Sequence, residues 1–415
     1  LEPSWEEVVA AHEEAWSLLH ARPLESLLSQ PAVTDPDMQA ALSVLAALFS
    51  PAFFCRRNLH ALHLCRMVSL TLRHGTVDAS AHAYAWFGFL SSTVFKRYRE
   101  GLAISDFACQ LAERQGLSPY QGEALHARAI NGVWSNPYSS SREFIRRAFQ
   151  QSVLAGDFRN AALCFNQSTF IPLAMGRDLV EVGQEALAGY DFASKVGFWD
   201  VSQMMLVVRR YVEQLQGLSG SFSTLNGDGF EEEAFEARLA VGSLIPLRCS
   251  YGIVKMMSRF MCGAHEQARQ VAESIKELLW SNFGQVYHYL YVLYEALTLA
   301  ACCRDASPAR RREYLEAIEK HHRQLVEWAG NCPENFRAAE RLVSAELARL
   351  NGEAEQAHRA YEEALQSARE QGSQQNAALV CELAARFWKE RGMSTTALLF
   401  AREAREAWAQ WGAEG

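Results

Sequence analysis

A chain of 415 residues, 49% of them hydrophobic, has ample material for a continuous core. Its formal charge of −8 arises from 40 basic and 48 acidic residues interleaved throughout. No basic block of the kind that neutralises phosphates occurs, which argues against a nucleic-acid partner. Ten cysteines are scattered without CxxC spacing in a chain too long for a secreted disulfide framework, so free thiols in a reducing cytoplasm are expected.

Residues 1–36 read as an acidic amphipathic helix carrying Val8, Val9, Ala15, Trp16 and Leu19, then a connector punctuated by Pro23, Pro31 and Pro36. Trp5, Glu6 and Glu7 stand where a signal peptide needs apolar residues, so no leader is expected. The missing initiator methionine and the stop at Gly415 lead to the expectation of a segment of a longer protein. Residues 37–216 predict successive helices with turns at Gly75, Gly116-Leu117-Ser118-Pro119, Asn136-Pro137 and Gly156-Asp157. The longest uncharged stretch, Met38 to Cys55, contains Gln39, Ser43, Ser50 and Pro51. It reads as a buried helix ending before Pro51, not as a membrane span. Residues 217–229, rich in glycine and serine, predict a flexible loop between an N-terminal helical half (1–216) and a C-terminal one (230–415).

Within the second half one pattern is spelled twice, most clearly over 338–411. Gly352 is followed by Ala357, Tyr361 and Ala364; Gly392 is followed by Ala397, Ala401 and Ala404. Weaker copies begin at Gly156 (Ala161, Phe165) and Gly263 (Ala268, Ala272). A glycine in the turn and a small residue five places on let two antiparallel helices lie close together. Flanking apolar residues keep helical spacing, as in Val271, Ala272, Ile275, Leu278 and Leu279, and again in Val380, Leu383, Ala384, Phe387 and Trp388. The predicted class is therefore all-α, a tetratricopeptide-like helical-hairpin solenoid coiled into a right-handed superhelix. At roughly 34–45 residues per pair the chain has room for about nine to twelve pairs. Such arms bind partners and seldom do chemistry.

Motifs for chemistry are weak throughout. Asn226, Asp228 and Gly229 resemble a calcium loop, but Phe235 occupies the position of the bidentate glutamate. His60, His63 and Cys65 share a helical turn without a second ligand pair, so no metal site is expected. His321-His322 reads as part of a solvated face. Cys302-Cys303 and Cys332 read as small buried residues, since no base is indicated beside them. No phosphate loop, nucleophile elbow or kinase catalytic loop occurs, so neither cofactor nor enzymatic activity is expected of this region. Aromatic residues crowd two segments, Tyr287 to Tyr294 and Trp86 to Phe89, and are assigned to packing between helices.

The run Cys332-Pro333-Glu334-Asn335-Phe336, preceded by Trp328, resembles the helical-repeat region of very large bacterial signalling proteins. In these, a serine/threonine-kinase-like domain and an AAA-type signal-transduction ATPase precede the region, and a GAF domain and a sensor histidine kinase follow it. The likeness continues through Ala345-Glu346, Gly352, Tyr361-Glu362-Glu363-Ala364, Glu382 to Phe387 and Trp411-Gly412-Ala413. Upstream it covers Asp35 to Met38, Pro51-Ala52, Tyr84 to Gly88 and Tyr98 to Gly101. Gln410, Ser373 and Ala377 depart from the pattern. The resemblance implies a non-catalytic regulatory or sensor scaffold that couples the ATPase to the histidine-kinase output. Its partner would be a protein or peptide, or a sibling domain of the same chain.

In such pairs the inner face is lined by the first helix, at positions counted back from the turn glycine. That count places Arg146 and Gln150, Glu346 and Arg349, and Arg386 and Lys389 in a partner-binding groove. The alternative is a small-molecule receptor similar to the helical arm of the maltose-regulon activator. An enclosed aromatic pocket would favour a small molecule, and an open charged groove a protein or peptide. A plain spacer would show neither.

Overall fold

The computed structural model describes residues 2–116 and 118–415, and among them the chain is all-α. The first helices are α1 (Trp5–His20), α2 (Leu24–Leu27), α3 (Pro36–Cys55), α4 (Arg57–His74), α5 (Ser80–Thr93) and α6 (Tyr98–Gln115). Next come α7 (Ser118–Gly132), α8 (Tyr138–Leu154), α9 (Phe158–Ala174), α10 (Leu179–Lys195) and α11 (Trp199–Leu215). Then follow α12 (Glu232–Gly242), α13 (Ile245–Met261), α14 (His265–Ile275) and α15 (Val286–Cys302). The chain closes with α16 (Pro308–Asn331), α17 (Pro333–Leu350), α18 (Ala354–Glu370), α19 (Gln374–Glu390) and α20 (Ser394–Trp411). Strand-like pairing among the described residues is confined to two isolated bridges, Ala32 with Thr76 and Gly227 with Phe230.

Local chemistry sets the helix ends. Ser4 and Glu7 form a reciprocal capping box that starts α1, and Asp35, Asp157, Asp178, Ser307 and Ser373 each cap a later helix with a side-chain oxygen. The turn glycines 156, 263, 352 and 392 all adopt positive φ, where a side chain would be strained. α17 opens with Pro333 in its first turn and Glu334 beside it. Of the turn expected over 116–119, Leu117 lies outside the described residues, as does Leu1 of the N-terminal helix reading.

The odd-numbered helices from α5 to α19 touch one another in succession, and the even-numbered ones other than α12 pack onto them. Burial follows this layering. Every residue of α5 is buried and nearly all of α15, whereas α8 and α18 bury a single stripe each. The inner layer also folds back on itself, since α15 touches α9 and α3 reaches across to α13.

Hydrogen bonds fasten this closure. Trp134 Nε1 donates to the carbonyl of Gly284 at 2.8 Å, Tyr98 Oη donates to Glu327 at 2.7 Å, and Trp411 Nε1 donates to the carbonyl of Arg177 at 2.8 Å. One cluster of buried side chains runs from Tyr98 to Trp411, and a second gathers α1 and α4–α8 with Cys164.

Two details differ from the sequence expectation. α3 does not stop before Pro51 but continues to Cys55, and only 11% of its apolar window is buried. It is the one described helix long and apolar enough to cross a membrane. Pro51 lies near the end of this helix, where it interrupts little of the hydrogen-bond ladder, and is itself exposed. α14 ends at Ile275 and tightens into a 3-10 segment over Lys276–Asn282, which holds Leu278 and Leu279. The 217–229 segment is pinned at several points: Gln214 donates to the carbonyl of Phe222, Leu225 is fully buried, and the N–H of Leu225 donates to Glu232 at 2.7 Å.

Candidate functional site

The inner faces of α5, α7, α9 and α11 converge on a cavity of about 120 Å³. Phe49 and Phe53 of α3 form its roof, and both rings lean on Trp86 of α5, at 5.1 and 5.6 Å between centroids. Ile130, Met204 and Tyr287 add apolar walls. Polar groups enter from α7 and α9. Glu123 and His126 are three residues apart, and Asn160 and Gln167 seven apart, so each pair shares a helical face.

The hydrogen bonds of these side chains are only part-filled. His126 Nδ1 meets Asn160 Oδ1 at 2.8 Å, and Asn160 Nδ2 donates to Ser152 Oγ at 2.8 Å. Gln167 Nε2 donates to Gln285 Oε1 at 2.9 Å. His126 Nε2, Gln167 Oε1 and Trp86 Nε1 are buried without a partner among the described residues. Burial holds the His126 imidazole below its ordinary pKa, so it is neutral near pH 7. Burial alone would raise the Glu123 carboxyl, but the charge and hydrogen bond of adjacent His82 outweigh it and keep Glu123 ionised. At the rim, Arg159 lies over the rings of Phe54 and Phe198 at 5.4 and 5.9 Å.

A second, open groove of about 1090 Å³ lies between α13, α19 and α20. Met261, Leu383, Leu398 and Ala401 supply apolar floor, and Leu398 is 53% exposed. Arg386, Lys389 and Arg405 are basic groups on its walls. Glu382 is paired with Arg386 and accepts from Trp408 Nε1 at 3.2 Å; Lys389 and Arg405 have no ion-pair partner among the described residues.

Two of the six groove residues counted from the sequence, Arg386 and Lys389, thus line one open surface. The others do not join them. Arg146 and Gln150 sit on α8 in the outer layer, exposed and bonded to Glu143 and to each other. The Gly156 turn joins an outer helix to the next inner one, so counting back from it lands on the wrong layer. Glu346 is buried in α17, where Tyr361 Oη and Arg349 both donate to it; Arg349 Nη2 does so at 2.6 Å. That pair serves the α17–α18 contact.

Arg405 and the polar groups of the cavity were not singled out from sequence. A signal existed for the latter: Asn160 and Gln167 of α9 stand seven positions apart, on one helical face.

The remaining chemistry-bearing groups are enclosed. The described cysteines are free. Burial pushes the Cys332 and Cys381 thiols up to about 12, so neither forms a thiolate near neutral pH. His63 Nε2 is 2.7 Å from the carbonyl oxygen of Leu45, and His60 packs against Phe49 and Phe53. His321 is not simply solvated, since it pairs with buried Glu295 at 2.8 Å. No protein-family model matches this chain, and a search of curated proteins finds no match either.

Proposed function

We propose that this chain is a non-catalytic regulatory arm built as a tetratricopeptide-like, right-handed helical-hairpin solenoid, and that it binds a protein or peptide segment in the groove between α13, α19 and α20. The succession of touching inner helices and the glycine turns support the solenoid reading. The open groove carries the binding reading. An apolar floor beside three basic side chains suits an amphipathic helix with apolar residues on one face and carboxylates at its edge. The resemblance noted above would place such an arm in the cytoplasm, between a signal-transduction ATPase and a histidine-kinase output. A segment bound in the groove then alters output only if it favours one state of the ATPase over another.

The test is fluorescence anisotropy with a labelled amphipathic helical peptide carrying glutamates along its polar edge. Binding is expected to be saturable and to weaken as salt is raised, because the charges lie at an open surface. Reversing Arg386, Lys389 and Arg405 together to glutamate is expected to abolish it while circular dichroism stays unchanged. Equal affinity before and after the triple reversal would remove the groove as the binding surface.

A further inference from the structure

Exposed apolar side chains gather at one edge of the molecule, where the α8–α9, α10–α11 and α12–α13 connections lie side by side. The first presents Leu154, 79% exposed, and Phe158, 49% exposed; the second presents Val196, and the third Val241, 90% exposed. Contacts fix these connections as neighbours. Arg159 lies 5.9 Å from the ring centre of Phe198, the N–H of Leu244 donates to Asp200 Oδ1 at 3.0 Å, and Arg238 lies 4.1 Å from the ring centre of Trp199. Single apolar residues scattered over a surface are ordinary, but a row of them at adjoining tips marks an interaction site.

α3 ends at the same edge. Its Phe54 ring centre is 5.4 Å from Arg159, and the helix touches α13. α3 carries no charge from Met38 to Cys55, only 11% of its apolar stretch is buried, and Val44 and Leu48 are at least half exposed. Such a helix, left largely uncovered by its own fold, has the composition that lipid favours.

The charges beside the tips select the surface they meet. Arg159, Lys195, Arg238 and Arg248 are exposed and have no ion-pair partner among the described residues. Val241 stands between the last two, in a run from Leu239 to Leu247 without charge. Asp157 and Asp200, which stand among these residues, are committed to the backbone: Asp157 accepts from the N–H of Asn160 at 3.0 Å, and Asp200 from that of Leu244. The whole chain carries −8, so attraction to an anionic surface has to be local. At physiological salt such fields reach only about 8 Å, which isolates this edge from the acidic remainder.

We infer that the tips of these three connections, with the C-terminal end of α3, rest on an anionic lipid bilayer without crossing it. The apolar tips enter the boundary between headgroups and acyl chains, and the unpaired cations meet lipid phosphates. A folded protein partner would need a matching hollow for each tip and for α3, whereas a fluid bilayer conforms to all of them.

Co-sedimentation of the whole chain with vesicles tests the assignment, with equal parts phosphatidylcholine and phosphatidylglycerol compared against phosphatidylcholine alone. The chain is expected to pellet with the anionic vesicles about tenfold more strongly than with the neutral ones, and to be released as salt is raised. Leu154→Ser, Phe158→Ser and Val241→Ser combined removes the tips at exposed positions, so an unchanged circular dichroism spectrum is expected. Partitioning into anionic vesicles should fall by about tenfold or more. Arg238→Glu with Arg248→Glu keeps the tips and is expected to lower it by roughly fivefold per charge. Should the serine variant unfold, the arginine reversal alone decides. No pelleting with anionic vesicles, or pelleting that a folded variant leaves unchanged, overturns the assignment and leaves the edge to a protein partner. Equal pelleting with both vesicle types overturns it as well, since the cations then select nothing. Reversing Arg386, Lys389 and Arg405 on α19 and α20 is expected to leave vesicle binding intact, so the groove and this edge stand or fall separately.

Discussion

Asn335, in the first turn of α17, donates from Nδ2 to the carbonyl of Val133 at 2.7 Å, bridging 202 positions of sequence. The same nitrogen donates to the carbonyl of Asn136 at 2.9 Å, and Asn335 Oδ1 accepts from the N–H of Tyr138 at 3.0 Å. One side chain thereby satisfies three backbone groups of the α7–α8 connection, which has no ladder of its own. Beside it, Phe336 stacks on Trp134 at 5.5 Å between centroids, with Trp328 and Tyr289 completing the cluster. Replacing Asn335 by leucine leaves these groups buried and unpaired, and is expected to cost about 3 kcal/mol or more. Urea denaturation followed by circular dichroism measures it; a loss below about 1 kcal/mol would mean the α7–α8 connection does not depend on this bridge.

Where α5 and α6 cross, Gly88 and Gly101 face each other. A Cβ on Gly88 would collide with the carbonyl of Gly101 and with Ser105, and a Cβ on Gly101 would collide with the carbonyl of Gly88. Backbone cannot yield as a side chain can, so Gly88→Ala or Gly101→Ala must push the helices apart. Each is expected to destabilise by about 1–3 kcal/mol despite the better helix propensity of alanine. A rise in thermal midpoint for either would show that the crossing is looser than its geometry.

The small residue five places after each turn glycine gives a paired test. Ala357 is completely buried in α18, and Ala397 borders the open groove. Ala357→Leu is expected to cost about 1–3 kcal/mol through overpacking. Ala397→Leu should cost less, since its extra atoms can extend into the groove. The order of the two midpoints in parallel thermal melts checks the placement of the groove wall.

These sites show what was legible in the sequence. The turn glycines, the alanines after them and the apolar spacing report contacts made within a few tens of residues, and they gave the helices and their pairing. Asn335 and Phe336 meet Val133 and Trp134, partners set by the course of the whole chain, whereas Gly88 and Gly101 meet across adjacent helices. Layer identity was not legible. Glycines of positive φ end inner and outer helices alike, so a count from Gly156 could not tell that α8 faces outward. The cavity was hidden for the same reason: its walls come from α5, α7, α9, α11, α13 and α15, spread from Trp86 to Tyr287, and from a roof that precedes them all.

Acid sensitivity follows from the buried histidines. His12 of α1 is fully buried, its ring lying 3.6 Å from that of Phe95 and its Nε2 3.0 Å from Ser91 Oγ. Burial first, and the nearby Arg97 charge second, push its pKa down to about 4. His126 is lowered by burial as well. A histidine in an unfolded chain titrates near 6.5. Above that value both states are neutral and the native packing is at full strength. Between about 6.5 and about 4 the unfolded chain takes up a proton that folded His12 refuses, so stability falls as the pH is lowered through that window. The contribution of His12 alone is up to about 3 kcal/mol across it, near 1.4 kcal/mol per pH unit. Thermal midpoints measured from pH 7.5 down to about 4.5 are expected to drop steadily below pH 6.5, with His12→Gln shallower than the parent by about one proton's slope. A parent and a variant with parallel pH profiles would show that His12 keeps its proton on folding, and that the α1 contact with Phe95 tolerates a charged ring.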